Sequence, residues 1–294
     1  MRGARPIGVG VGSERLGPAL ALLLEAKRRA GRRERYIESL QSYLGGFVRE
    51  LGAGYPVKAI SAAQIEAYIF RNSPAASSAA SNSGRFSSLF GFLVRSGVLR
   101  ASPLAGLDRI TVEPSIPRCY STKEVAAILA AAIKTKAGRR GLGALALGFF
   151  LGIRPEEINR IGWDAVRVDG VLVAHTKTRD RRRVPMNETA RAWLAWGLER
   201  GAELPPHGNL KRTLAGIRKR AGVEGIQDGA RKTCATMMYA AGATPEAISR
   251  GLGNSTRILW AAYVDTAGVS ADEAREFWAL RPVEDRQLQF NFGK

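Results

Sequence analysis

Apolar residues recur at helical spacing through the first hundred positions. From Leu16 to about Leu51 they do so around a basic cluster of Lys27, Arg28, Arg29, Arg32, Arg33 and Arg35, and the chain turns at Ala30-Gly31, so two helices or one broken helix are expected. Ser61-Ala-Ala-Gln64 has the form of a capping box and opens a helix through Ile65, Tyr68 and Ile69. The Ser/Ala stretch from Ser73 to Ser83 reads as a loop. Phe86, Leu89, Phe90 and Leu93 then mark the apolar face of another helix, which Gly97 stops, with Arg85 and Arg95 left available to solvent or phosphate. These elements predict a small helical bundle over residues 16–107, preceded by a loose arm at 1–15.

Pro103, Pro114 and Pro117 break up any long helix beyond Ser102, which makes residues 108–119 the expected linker. A second capping box, Ser121-Thr-Lys-Glu124, starts a helix through Val125, Ile128 and Leu129. The apolar run Gly141–Ile153 is too short to cross a bilayer and reads as a buried helix. The period then changes. Val166–Ala174 and Arg182–Met186 are short β-branched or alternating runs separated by charged turn residues, as in a small antiparallel sheet. Helical spacing returns through Trp193, Leu194 and Leu198, then Leu210–Arg220, Thr233–Ala241 and Pro245–Leu252. Ser270-Ala-Asp-Glu273 caps a last helix with Phe277, Trp278 and Leu280. The expected fold is mainly α with a small antiparallel β-sheet in a C-terminal domain spanning 120–281. A tail at 282–294 follows, in which Leu288, Phe290 and Phe292 alternate with polar residues as a short added strand would.

Charge sharpens this picture. Forty-five Lys and Arg against 26 Asp and Glu give a net charge of +19, so the expected partner is a polyanion, and double-stranded DNA leads. Arg, Ala and Gly all run high, and a basic genome composition would produce the same balance, so the decision falls to the motifs. Cys119 and Cys234 show neither metal-ligand spacing nor a disulfide framework, which suits a reducing cytoplasm. No membrane insertion and no metal are expected.

Chemistry concentrates in the C-terminal half. Arg154 stands at a helix mouth, with Pro155 suited to the first helical position and Glu156 and Glu157 favourable in the first turn. Arg231 opens Arg-Lys-Thr-Cys-Ala-Thr236 at a second helix start, after Asp228-Gly229. Two such arginines can clamp the non-bridging oxygens of a phosphate. Lys177 lies at the tip of the expected hairpin, close to Arg179, and Tyr263 follows Leu252-Gly-Asn254-Ser. Taken singly, each residue reads as a surface ion pair, a solvated turn residue or a packed helix residue. Their order carries the weight.

In that order the chain resembles the tyrosine recombinases of the phage-integrase family, over nearly all of residues 17–280. Gly97-Val-Leu-Arg-Ala-Ser-Pro103 resembles the close of the family's SAM-like core-binding domain. Gly152-Ile-Arg154-Pro-Glu-Glu resembles the first-arginine motif, and His175-Thr-Lys177 with Arg183-Val-Pro the lysine hairpin. Arg231-Lys-Thr-Cys-Ala-Thr resembles the second-arginine motif, and Leu252-Gly-Asn254-Ser with Tyr263 the closing one. The resemblance implies a two-domain C-shaped clamp on DNA, a tetramer assembled there, and strand exchange through a 3′-phosphotyrosyl intermediate without a cofactor. Tyr263 would be the nucleophile, Arg154 and Arg231 would stabilise the phosphoryl charge, and Lys177 would protonate the leaving 5′ oxygen. Lys27, Arg28, Arg29, Arg32, Arg85, Arg95 and Arg179 are the candidate DNA-contacting cations. In the family the last helix docks onto a neighbouring protomer, and packing within the chain is equally open.

Two motif positions depart from the family. Asp228 replaces a His three residues before Arg231, and a carboxylate about 5 Å from a phosphate charge would cost on the order of 3 kcal/mol. Asn254 replaces a His or Trp; it can donate a hydrogen bond but cannot take up a proton. His175 is the candidate substitute imidazole. Three functions remain open: a working or weakened integrase, a DNA-binding descendant without turnover, and a nicking enzyme like a type IB topoisomerase.

Overall fold

The computed structural model describes residues 14–73, 75–113, 117–174, 181–265 and 268–282. Two compact units divide between residues 113 and 114, each with its own core.

The first unit is helical. Leu16, Leu20 and Leu23 form the buried stripe of α1 (Leu16–Arg29), and Ile37, Leu40, Leu44 and Phe47 that of α2 (Glu34–Leu51). The break between them falls at Gly31, whose φ of +66° suits a residue without a β-carbon. The capping box at Ser61 forms as expected and starts α3 (Ala62–Arg71): Gln64 N–H donates to Ser61 Oγ at 3.2 Å, and Ser61 N–H donates to Gln64 Oε1 at 2.9 Å. The next element corrects the sequence reading. Residues 73–83 are not one loop, because α4 runs from Ala76 to Arg95. Ala76, Ala79 and Ala80 favour helix, Ala79 is fully buried, and buried Asn82 donates to Ser73 Oγ at 2.6 Å, so the serines that suggest a turn lie on a packed helix.

The second unit is mainly helical with a small antiparallel sheet, as the change of period predicted, but the run Val166–Ala174 is two strands separated by a turn, so the sheet has three. Its helices are α5 (Thr122–Ile133), α6 (Lys136–Arg140), α7 (Leu142–Leu151), α8 (Pro155–Ile158), α9 (Glu188–Glu199) and α10 (Leu210–Ala221), followed by α11 (Gly229–Ala240), α12 (Pro245–Leu252), α13 (Thr256–Ala262) and α14 (Ala271–Trp278). The strands β1 (Val166–Arg167), β2 (Gly170–Ala174) and β3 (Arg181–Pro185) pair in sequence order, with Val171 opposite Val184 and Ala174 opposite Arg181. Every residue of α7 is buried, so its apolar run is the axis of the core. The short helices α6 and α13 have too few turns to show a period in sequence.

Helix α14 packs within its own chain. Phe277 is fully buried, Trp278 Nε1 donates to the Met237 carbonyl at 3.2 Å, and the Glu273 carboxylate accepts the Thr122 N–H at 3.0 Å, placing an anion at the start of α5. Leu280, expected within this helix, lies beyond its end at Trp278, where the chain leaves helical geometry ahead of Pro282. Leu288, Phe290 and Phe292 lie outside the described residues. Among the described residues no helix is long and apolar enough to cross a membrane, and no His, Cys, Asp and Glu cluster fits a metal.

Candidate active site

Two glycines in left-handed geometry frame the site. Gly152 ends α7 with φ +61°, and a β-carbon there would stand 2.3 Å from Leu252 Cδ2. Gly253 ends α12 with φ +65°, and a β-carbon there would press on the Arg182 guanidinium at 3.1 Å. These turns point backbone carbonyls at the two arginines. Arg231, on the first turn of α11 and only 2% exposed, donates from Nη1 to the Gly152 carbonyl and from Nη2 to the Leu252 carbonyl, the latter at 2.6 Å.

Arg154 is the residue before α8, whose first position is Pro155 as expected. Its Nη1 reaches the same Leu252 carbonyl at 3.4 Å, its Nη2 donates to the Gly253 carbonyl at 3.0 Å, and Nη2 also donates to Asn254 Oδ1. The two guanidiniums therefore converge on one peptide. Because an arginine has no acceptor, the Asn254 oxygen must face it, which turns the amide nitrogen the other way. That nitrogen is buried without a hydrogen-bond partner among the described residues, and so is Arg231 Nε. Buried donors are nearly always paired, so these two are suited to an acceptor brought by a ligand.

Glu157 ties the arrangement to the sheet. It accepts from Arg154 N–H at 3.1 Å and from Arg154 Nη1 at 3.2 Å, and both its oxygens accept from Arg182 of β3 at 2.8 Å. Burial by itself would raise the Glu157 pKa. The hydrogen bonds and charge of Arg182, then those of Arg154, outweigh it and hold the carboxyl down at about 2. Arg182 also donates to the Gly251 carbonyl at 3.3 Å. Burial, then repulsion from Arg154, lowers the Arg231 pKa to about 10, while Tyr263 and Glu157 act the other way. Arg231 stays charged at neutral pH.

Tyr263 follows the last residue of α13, half-buried, with its ring centroid 5.1 Å from the Arg231 guanidinium carbon. It does not stack on Trp260, whose edge-to-face partner is Tyr239 at 5.2 Å. A phenol ring thus lies beside one of two guanidiniums that share a carbonyl, and two buried donors on Arg231 and Asn254 are unpaired among the described residues, an arrangement suited to a tetrahedral oxyanion.

No protein-family model matches the chain. Tyrosine recombinase XerD of Xanthomonas campestris pv. campestris is 30% identical over 171 residues, 55% of this chain and 53% of that protein, so the chain spans about half the length of this curated relative. A lambda integrase dimer bound to a COC′ core site superposes with a TM-score of 0.68 at 16% identity, over 83% of this chain and 97% of that one. The XerH recombinase bound to palindromic difH substrate, a post-cleavage complex, gives 0.59 at 13% identity over 92% and 94%. Over about half its length the chain is similar in sequence to a tyrosine recombinase, and it has the fold of lambda integrase and XerH.

Of the recombinase-like motif residues, Arg154, Arg231, Asn254 and Tyr263 come together. Asp228 stands before α11 with φ +52°, exposed, making no side-chain cap bond. His175, Lys177 and Arg179 lie outside the described residues. In the first unit, Arg28 pairs with Glu34 at 3.1 Å, Arg29 pairs with Glu25, and Lys27 lies 6.0 Å from the Tyr36 ring centroid. Arg32 and Arg95 are exposed. Arg85 is built into the helix packing, bonding Ser39 Oγ at 2.9 Å and Asn82 and lying over the Tyr43 ring at 5.2 Å.

Sequence reasoning missed the bridging role of Glu157 and Arg182. The three-residue spacing of Arg154 and Glu157 was the available signal for one of them. Sequence reasoning also found the helix at Leu210–Arg220 without singling out its cations: α10 carries Lys211, Arg212, Arg218, Lys219 and Arg220 with no acidic residue.

Proposed function

We propose that this chain breaks and rejoins DNA strands by the tyrosine-recombinase reaction. The observation that carries the reading is the convergence of Arg154 and Arg231 on the Leu252 carbonyl beside the Tyr263 ring, with Arg231 Nε and Asn254 Nδ2 unpaired among the described residues. Tyr263 Oη attacks the phosphorus of one strand, a 3′-phosphotyrosyl bond forms, and the bond from phosphorus to the 5′ oxygen breaks. The phenolic proton passes to solvent and the departing 5′ oxygen takes a proton from Lys177. Attack by a 5′-hydroxyl on the phosphotyrosine then restores the strand and the phenol. Arg154, Arg231 and the Asn254 amide neutralise and bond the phosphoryl oxygens, which bear the most charge in the transition state.

The partner is double-stranded DNA. A net charge of +19 and the acid-free helix α10 support this, as do the DNA complexes of lambda integrase and XerH. Assembly of copies on DNA, up to a tetramer, belongs to the same reading, and a lambda integrase dimer offers the precedent. Asp228 and Asn254 carry no imidazole, and loss of general acid–base assistance slows turnover by about 10²- to 10⁴-fold. The reading is therefore of a slow integrase.

A duplex nicked near the cleavage site, so that the cut end diffuses away, tests it. The unsubstituted chain accumulates a covalent protein–DNA adduct and Tyr263→Phe does not. Absence of adduct from the unsubstituted chain, with the duplex still bound, would replace this reading with that of a DNA-binding descendant. Relaxation of plasmid without strand exchange would favour a topoisomerase.

A further inference from the structure

We infer that Thr236 is a positioning residue that sets Tyr263 against Arg231, an assignment that rests on Tyr263 being the nucleophile. Thr236 and Arg231 share helix α11, and Thr236 is fully buried. Its hydroxyl donates to the Tyr263 carbonyl at 3.3 Å and accepts the Asp265 N–H at 3.2 Å. It thereby grips the chain on both sides of Val264, which is itself buried. A threonine within a helix commonly turns its hydroxyl back to its own preceding turn. Here it bonds across to a different segment.

The grip falls where the helix ends. Tyr263 N–H still donates to the Leu259 carbonyl at 3.0 Å, but its φ of −125° takes the chain out of helical geometry, so its carbonyl needs another donor. Of α13 itself only Leu259 is buried, so few contacts hold the tyrosine arm in place. Thr236 supplies a short mechanical path: Arg231, one helix, one hydroxyl, the backbone of Tyr263. In-line attack needs the phenol at a fixed distance from the phosphorus that Arg231 holds, and a misplacement near 1 Å costs about 100-fold in rate.

The test uses the full chain with Thr236→Val, which keeps the shape and removes the hydroxyl, and Thr236→Ser, which keeps the hydroxyl. Three quantities are read: the rate of adduct formation on the nicked duplex, the affinity for that duplex, and hydrogen exchange at the Asp265 amide without DNA. Thr236→Val slows the adduct by about 100-fold, leaves the affinity unchanged and speeds exchange at Asp265, while Thr236→Ser restores both rate and protection. A valine variant that forms adduct at the unsubstituted rate, a serine variant as impaired as valine, or Asp265 exchange indifferent to the substitution would overturn the positioning role alone. No adduct from the unsubstituted chain would instead overturn the nucleophile reading, and the positioning role with it.

Discussion

Arg154 and Arg231 sit among backbone carbonyls, a carboxylate and a strand arginine, where the large core that buries α7, Ile153 and Ile158 meets the small cluster that buries Leu252, whereas Tyr263 follows a seven-residue helix that rests on the small cluster. That cluster buries Ala235, Ile248, Leu252, Leu259 and Val264. Ile258 and Trp260 of the same short helix are 49% and 40% exposed. The contrast teaches how a site of this kind divides its work. The groups that meet developing charge are fixed before the substrate arrives, because dipoles that need not reorganise stabilise a transition state most. On the proposed reading Tyr263 must approach, bond and later release a strand, and it directly follows α13, of which only Leu259 is buried. Elements with few apolar contacts are also those that open locally at the lowest free energy.

Breaking the arginine side has the largest expected effect on stability. Glu157→Gln leaves Arg182 without its carboxylate partner at 14% side-chain exposure. Urea unfolding is expected to show a loss of about 3 kcal/mol, and a variant as stable as the parent would mean that the network is loose after all. The same pair governs acid sensitivity. The folded chain keeps Glu157 ionised to about 2, below the ordinary 4.5, so this stabilisation is complete above about 4.5 and is lost as pH falls from there toward about 2. Unfolding free energy followed over that range falls in the parent, and Glu157→Gln lacks this part of the fall.

Substitutions on the tyrosine side are expected to act more locally. Leu259→Ala removes the one buried side chain of α13 and costs about 2 kcal/mol, near the low end for a leucine because the cluster is small. Hydrogen exchange should rise over α13 while the amides of α7 remain protected. Equal loss of protection in both helices would merge the two regions into one cooperative unit. The smallest effect belongs to Ile258→Ser, on the exposed face of α13, which should shift thermal unfolding by no more than about 0.5 kcal/mol. A larger loss would mean that the tyrosine arm is more deeply packed than its exposure indicates.

Much of this was legible from local pattern. The capping boxes at Ser61 and Ser121, the buried α7 and the strands around Val171 and Val184 all form where spacing and residue type put them. Residues 73–83 misled because serine favours turns in isolation, and only the burial of Ala79 and Asn82 against the rest of the bundle makes that stretch helical. Glu157 read as an ordinary first-turn acid, and Arg182 only as the start of a strand. Their pairing joins a helix to a strand 25 residues further along the chain, beyond the reach of any local pattern.

The sequence by itself determined the helical repeat, the order of Arg154, Arg231, Asn254 and Tyr263, and the positive charge, because each follows from residues close together in the chain or from simple composition. Only the tertiary structure decided what those residues face. It turned the Gly152, Leu252 and Gly253 carbonyls onto two arginines, locked Glu157 between Arg154 and Arg182, and hung Tyr263 from the Thr236 hydroxyl. Hydrogen bonds are short-ranged and directional, so partners distant in sequence acquire meaning only once the cores have packed.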